Sequence, residues 1–416
     1  MNAALATDTL GRGPSLRAAL RRGEARQRWR ALSLVAPLAL FLLVTFVGPL
    51  AFFLQRAVDN PEVVGSLPRT LAVLQAWDRA ALPDEPAFAA LRDDLTALGS
   101  GRESAILGRR LNYEIPGARS LIVKTVEALP TFAAGPAKEA FIAFDARWGE
   151  LAVWRTIAQN DGRLTDFYLL SAVDLMRDET GSIVAAPDDQ AIFIPILLRT
   201  LWIAGSVTFL CLLIGYPVAR LLATLPARTS NLLMIFVLLP FWTSLLVRSA
   251  AWTIILGQQG PVNATLQWLG IVDGPLELVF NRFGVYVAMT HVLLPFMVLP
   301  LYSVMKGVSP TYMRAATSLG ATPFKAFLGV YLPQTMPGIA AGTLLVFILA
   351  LGYYITPALV GGTGDQMIAY FVAFYTNSTV NWGLASALGA LLLVLSLLLF
   401  ALYGRLARVD GLGGRR

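Results

Sequence analysis

The stretch Ser309-Pro310-Thr311-Tyr312-Met313-Arg314-Ala315-Ala316-Thr317-Ser318-Leu319-Gly320-Ala321-Thr322-Pro323-Phe324-Lys325-Ala326-Phe327-Leu328-Gly329-Val330-Tyr331 reads as two short helices meeting at a glycine. Ala315, Ala316 and Leu319 give the first an apolar side. Gly320 can take the left-handed turn that ends a helix, and Phe324, Phe327 and Leu328 restart an apolar stripe. A hairpin of this kind is built to sit in the groove of another molecule. The plainer reading is an amphipathic interfacial hairpin that only reverses the chain.

On both sides the hairpin runs into long apolar segments. Crossing the hydrocarbon core takes about 20 apolar residues. Six runs of roughly that length lie near 31–53, 195–218, 231–254, 284–305, 338–360 and 384–403, none holding an acidic residue. With 56% of 416 residues hydrophobic and 14% charged, the expectation is an all-α, polytopic membrane protein with six transmembrane helices.

Basic residues fix the expected topology. Arg12, Arg17, Arg21, Arg22, Arg26, Arg28 and Arg30 precede the first run, which no A-x-A site follows; residues 1–30 are read as a cytoplasmic basic segment before an uncleaved helix, 31–55. Alternate crossings leave Arg220, Arg228, Lys306, Arg314 and Lys325 inside, then Arg405, Arg408, Arg415 and Arg416 in a cytoplasmic tail, 405–416. Both termini are therefore expected in the cytoplasm.

The same count places 56–194 outside, as a periplasmic insertion ahead of a five-helix core at 195–404. It holds most of the chain's acids, among them Asp93, Asp94, Glu139, Asp145, Asp178, Asp188 and Asp189. Pro86 opens a segment with Phe88, Leu91, Leu95 and Leu98 on one face before Gly99, and Phe141, Phe144 and Trp148 repeat the pattern before Gly149. A mainly helical domain is expected, large enough for its own core.

Several chemistries drop out. Cys211 is the only cysteine and His291 the only histidine, so neither an intrachain disulfide, a three-histidine metal site nor a histidine triad can be built here. Gly361-Gly362-Thr363-Gly364-Asp365 is glycine-rich but lacks the lysine of a phosphate-binding loop. No metal, no cofactor and no nucleic acid are expected, and no enzymatic activity of the chain itself.

The hairpin and its continuation, Leu332-Pro333-Gln334-Thr335-Met336-Pro337-Gly338-Ile339, resemble the E-A-A…G…L-P…P-G-I motif of ATP-binding-cassette importer permeases. Arg314 stands where that family usually has glutamate, and Ala315, Ala316, Gly320, Ala321, Phe327, Leu332, Pro333, Pro337 and Gly338 match. The resemblance implies a type I importer permease whose hairpin, 309–331, docks into an ATPase. Its partners would be two ATPase subunits that bind ATP and Mg, a second permease half of different sequence, a periplasmic solute-binding protein and membrane lipid. An arginine at 314 should prefer an acidic site on that ATPase.

Pro240-Phe241-Trp242-Thr243-Ser244-Leu245-Leu246-Val247-Arg248-Ser249-Ala250-Ala251-Trp252, Leu294-Pro295-Phe296-Met297-Val298-Leu299-Pro300-Leu301-Tyr302 and Leu351-Gly352-Tyr353-Tyr354-Ile355-Thr356-Pro357 are similar to the spermidine/putrescine-type permeases. A polyamine or a related small amine or amino-acid-like solute is thereby implied. Two departures stand out: the insertion at 56–194 is longer than usual, and Tyr353 occupies a position where those permeases commonly carry glutamate.

Trp242, Trp252, Tyr353 and Tyr354 could line a passage for a cation, or be ordinary packed and interfacial aromatics. Arg248 has two readings, an anion-binding or gate-closing charge and a snorkelling residue near a helix end. His291 reads as a packing hydrogen-bond partner rather than a proton relay, and Gly338 and Gly342 permit a close helix approach. A secondary transporter or membrane enzyme, the alternative class, would want acids inside the spans, which these runs lack.

Overall fold

The computed structural model describes residues 33–132, 135–178 and 180–412, with side chains through 405. The basic segment 1–30 and the side chains of Arg408, Arg415 and Arg416 lie outside the described residues. The chain divides into two compact units, one ending at Gln55 and one from Arg56 onward. The described residues of the first form a single apolar helix, α1 (Ser33–Gln55).

From Arg56 a helical domain forms from α2 (Pro61–Ser66), α3 (Pro68–Leu74), α4 (Glu85–Leu98), α5 (Arg102–Leu111), α6 (Ala118–Ala128), α7 (Ala137–Phe144), α8 (Leu151–Gln159) and α9 (Phe167–Ser171). A small antiparallel ribbon, β1 (Leu175–Arg177) with β2 (Ile183–Ala185), follows; Leu175 faces Ala185. Phe88, Leu91 and Leu95 are fully buried, as the spacing on α4 predicts. They meet Phe141, Trp148 and Trp154, whose rings pack edge-on and tilted at 4.4–6.0 Å. The expected second stripe is only partly right. Phe141 and Trp148 are buried, but Phe144, which ends α7, is 40% exposed, and a 3-10 turn, Ala146–Gly149, follows it and carries Trp148 into the core.

Buried polar groups in this domain are mostly paired, Asn60 Oδ1 and Arg110 Nε being without a hydrogen-bond partner among the described residues. Asp94 accepts from the Thr70 backbone N–H and hydroxyl, both at 2.8 Å, and the Trp148 indole donates to Thr125 at 3.0 Å.

The rest is the apolar core: α10 (Phe193–Thr224), α11 (Ala227–Leu238), α12 (Leu245–Ile255), α13 (Pro261–Trp268), α14 (Arg282–Gly307), α15 (Pro310–Ser318), α16 (Pro323–Leu351), α17 (Ile355–Val360), α18 (Ile368–Asn377) and α19 (Trp382–Leu412). α10, α14 and α16 pack mutually around Ile203, Val207, Leu293, Met297, Leu301 and Val346. Gly338 and Gly342 put α16 close against α14, where added Cβ atoms would press on Val304 and Met297.

Among the described residues five helices, α1, α10, α14, α16 and α19, are long and apolar enough to span a membrane. The run at 231–254 is not the single helix its composition predicts. Pro240 lies in a 3-10 turn, Leu239–Trp242, Thr243 and Ser244 are extended, and α12 restarts at 99° to α11. Counted as one broken span, the pair is the sixth. The run at 338–360 likewise breaks, since α16 ends at Leu351 and α17 begins only after Gly352, Tyr353 and Tyr354.

Two π-helical turns, Leu43–Val47 and Phe327–Tyr331, have one cause. Gly48 and Leu332, each just before a proline, donate to the carbonyls of Leu43 and Phe327, five residues back. The prolines that follow, Pro49 and Pro333, lack an N–H and crowd the carbonyl four residues earlier, so the turn widens.

Candidate functional site: the hairpin and the broken spans

The hairpin begins twice in the same way. Ser309 and Thr322 cap α15 and α16 with side-chain oxygens that accept from Thr311 and Lys325 N–H groups at 3.3 and 3.4 Å, and a proline follows each cap. Between them Gly320 has φ +90°. Its N–H bonds the Thr317 carbonyl and that of Ala321 bonds Ala316, at 3.0 and 3.1 Å, the paired bonds that close a helix on a left-handed glycine.

One feature differs from the expected two short helices: the second is continuous with the long span α16. The apolar stripe also divides. α15 buries no residue. Arg314, Ala315 and Gly320 are exposed, Ala316 and Ala321 half-buried, and Leu319 and Phe324 are 90% and 70% exposed. Phe327 turns the other way and packs at 6.1 Å, edge to face, on Tyr216 of α10. Beyond it Leu332 is half-buried, Pro333 and Pro337 are exposed, and Gly338 is buried against α14.

The aromatic candidates do not all converge. Trp242, 79% exposed, and Tyr354, 40% exposed, flank the two breaks. Trp252 and Tyr353 are half-buried. The Trp252 indole donates to His291 Nδ1 of α14 at 3.3 Å. Ser249 and Thr356, both buried, join α12 to α17 at 2.9 Å. The helices that follow the two breaks are therefore joined to each other through Ser249 and Thr356, and α12 to α14 through Trp252 and His291; irregular backbone within a membrane is tolerated where it lines a cavity or is buried in protein. Arg248 Nε and Nη1 are buried with no hydrogen-bond partner among the described residues.

Two groups escaped the sequence reading. Arg220 lies with its Cζ 4.6 Å from the Phe327 ring centroid and 5.3 Å from that of Tyr331. Asp365 in the glycine-rich 361–365 loop accepts from Arg282 at 2.9 Å, so that loop is held by an ion pair at the start of α14. Local patterning carries no signal for either, because each joins segments far apart in sequence.

Residues 212–409 match the family model described as binding-protein-dependent transport system inner membrane component. The spermidine/putrescine transport system permease protein PotB of Escherichia coli strain K12 is 34% identical over 218 residues, covering 52% of this chain and 79% of that protein. PotB of Haemophilus influenzae is 36% identical over 218 residues, covering 51% and 76%. Among solved structures, a bacterial alginate transporter in complex with its alginate-bound periplasmic protein matches 52% of this chain and 78% of its own at 19% identity and a TM-score of 0.42. With a hairpin between its spans and relatives at this identity matched over more than three quarters of their length, the chain belongs to the binding-protein-dependent transport system inner membrane components, the permeases of ATP-binding-cassette importers.

Proposed function

We propose that this chain imports a polyamine, or a related small amine, through a passage between the broken spans, driven by ATP hydrolysis on two ATPase subunits that dock on 309–331. The observation that carries this is the hairpin itself: a first helix with no buried residue, Leu319 and Phe324 exposed on either side of the Gly320 turn, and a second helix joined without interruption to a span. Such a rod can transmit displacement from a docked subunit. ATP and Mg belong to those subunits. A second permease of different sequence completes the passage, and both termini lie in the cytoplasm with the 56–194 domain on the periplasmic side, where a solute-binding protein lands. That domain's acidic excess steers a basic partner or a cation toward the mouth. The relatives named for spermidine and putrescine support the solute class, and the faces of Trp252 and Tyr353 supply cation attraction where the spans have no carboxylate.

Arg248 favours a second reading of the solute. Its orphaned nitrogens suit a compound with a carboxylate beside its amine, and spermidine uptake competed by an amino acid would select it.

The test is solute-stimulated ATP hydrolysis by the complex reconstituted with its cognate ATPase and binding protein, with spermidine as probe. Proline cannot hold φ +90°, so Gly320→Pro is expected to assemble in the membrane and to lose stimulation at least tenfold. Stimulation that survives would break the coupling assignment.

A further inference from the structure

We propose that Arg220 is the positioning residue through which movement of the hairpin reaches α10. This rests on the coupling role given to the hairpin above and adds the route by which its motion spreads beyond its own span.

The geometry is a ladder of one-turn steps on two helices. Tyr216 and Arg220 are four residues apart on α10, and Phe327, Tyr331 and Thr335 are four apart on α16, so each set shares one helix face. Tyr216 packs on Phe327, and its hydroxyl lies 3.1 Å from that of Thr335. Phe327 and Tyr331 stack at 5.9 Å and 25°, and the guanidinium covers both rings. No ion pair of Arg220 with a carboxylate occurs among the described residues, and its guanidinium lies against the two rings. Arg220 lies on the exposed side of its helix, so filling a core void is not its role.

The place matters as much as the contact. Phe327 and Tyr331 are the first and last residues of the π turn, the segment of α16 with the wider and weaker hydrogen-bond ladder. A push on the hairpin would bend α16 there unless something braces the turn from outside. Arg220 spans that turn, so α16 and α10 move together. Without it the hairpin can move while α10 stays, and hydrolysis proceeds without opening the passage.

The experiment measures spermidine taken up per ATP hydrolysed in liposomes holding the full complex. The Gly320→Pro comparison is made first; if stimulation survives in that variant the functional reading falls, whereas an unchanged ratio in Arg220→Met with Gly320→Pro uncoupled removes only the brace. Arg220→Met keeps the stem and deletes the charge. It is expected to lower uptake per ATP about fivefold, the population shift that two exposed cation–π contacts can hold. Arg220→Lys should restore most of the ratio. Phe327→Leu with Tyr331→Leu should lose a similar factor, and adding Arg220→Met to that pair should cost nothing further. An unchanged ratio in Arg220→Met, or losses that multiply in combination, overturns the proposal. Should Arg220→Met fail to assemble, Arg220→Lys decides against Arg220→Gln: equal ratios overturn it, a higher ratio for lysine supports it.

Discussion

The inserted domain and the membrane core are both built from helices rich in Leu, Phe and Trp, yet they place them oppositely. In the domain Phe88, Phe141, Trp148 and Trp154 are essentially inaccessible; in the core Trp202, Phe209, Phe236 and Phe400 are 60–66% exposed. Burying apolar surface stabilises the domain against water. In the core the outward faces meet lipid, and association rests on close packing, as where Gly338 and Gly342 meet α14. The same residue type therefore signals stability in one region and solvent compatibility in the other.

The sharpest way to break that contrast is a pair of truncations. Phe88→Ala opens a cavity beside Trp154, 4.4 Å away, and should destabilise the domain by about 3–5 kcal/mol. Phe209→Ala, 63% exposed, should change it by no more than about 0.5 kcal/mol. Tryptophan emission during denaturant unfolding of the purified chain in detergent reads both. Equal losses would mean that the two regions bury their aromatics alike.

How much of this could be read beforehand follows from where each signal lives. The hairpin was legible because its signals are local: Ser309-Pro310 and Thr322-Pro323 start helices, and Gly320 stops one. The α4 face was legible because Phe88, Leu91 and Leu95 repeat at helical spacing. The 99° break between α11 and α12 was not, since hydropathy reports transfer into lipid and says nothing of direction, and the sequence stays apolar from Leu238 to Leu246 apart from Thr243 and Ser244. The Arg220 brace was hidden for another reason. Its partners lie over a hundred positions downstream, and Arg220 looks in sequence like one more inside charge.

A second contrast lies at the seam between the regions. Tyr168 of α9 sits over Gly383 at the start of α19, where any Cβ would overlap its ring, and Arg110 covers Tyr168 and Phe167 from the domain side at 5.1 and 4.9 Å. Asp174 accepts from the N–H groups of Phe193 and Ile194 at 2.9 and 2.7 Å, capping α10. The domain is thus keyed to two helices of the core. Gly383→Ala should cost about 1–3 kcal/mol through overpacking, read as faster proteolysis within 160–190, and Tyr168→Ala should relieve much of that added loss. A tolerated Gly383→Ala with unchanged proteolysis would show that the seam is loose.

The smallest expected effect separates the water-exposed region from the core by pH. Hydrogen bonds from Arg147, whose Nη2 is 2.7 Å away, hold the Asp145 carboxyl below its ordinary value of 3.8. A carboxylate with a lowered native pKa contributes stability that is complete above its unfolded value and is lost as pH falls through the native one. The pair is a quarter to a third exposed, so the contribution is below about 1 kcal/mol. It shares its site with the Arg147 bond to the Gly117 carbonyl at 3.0 Å, which persists when Asp145 is protonated and limits the loss further. Asp145→Asn should therefore flatten the stability of the domain, followed by Trp148 emission, only below about pH 4 and leave it little changed at pH 7 beyond the same small offset. A core built without carboxylates in its spans should show no such edge, and an acid transition that Asp145→Asn leaves intact would assign it to other domain carboxylates, with the Asp166–Arg177 pair, also lowered by its arginine's hydrogen bond, the next to replace.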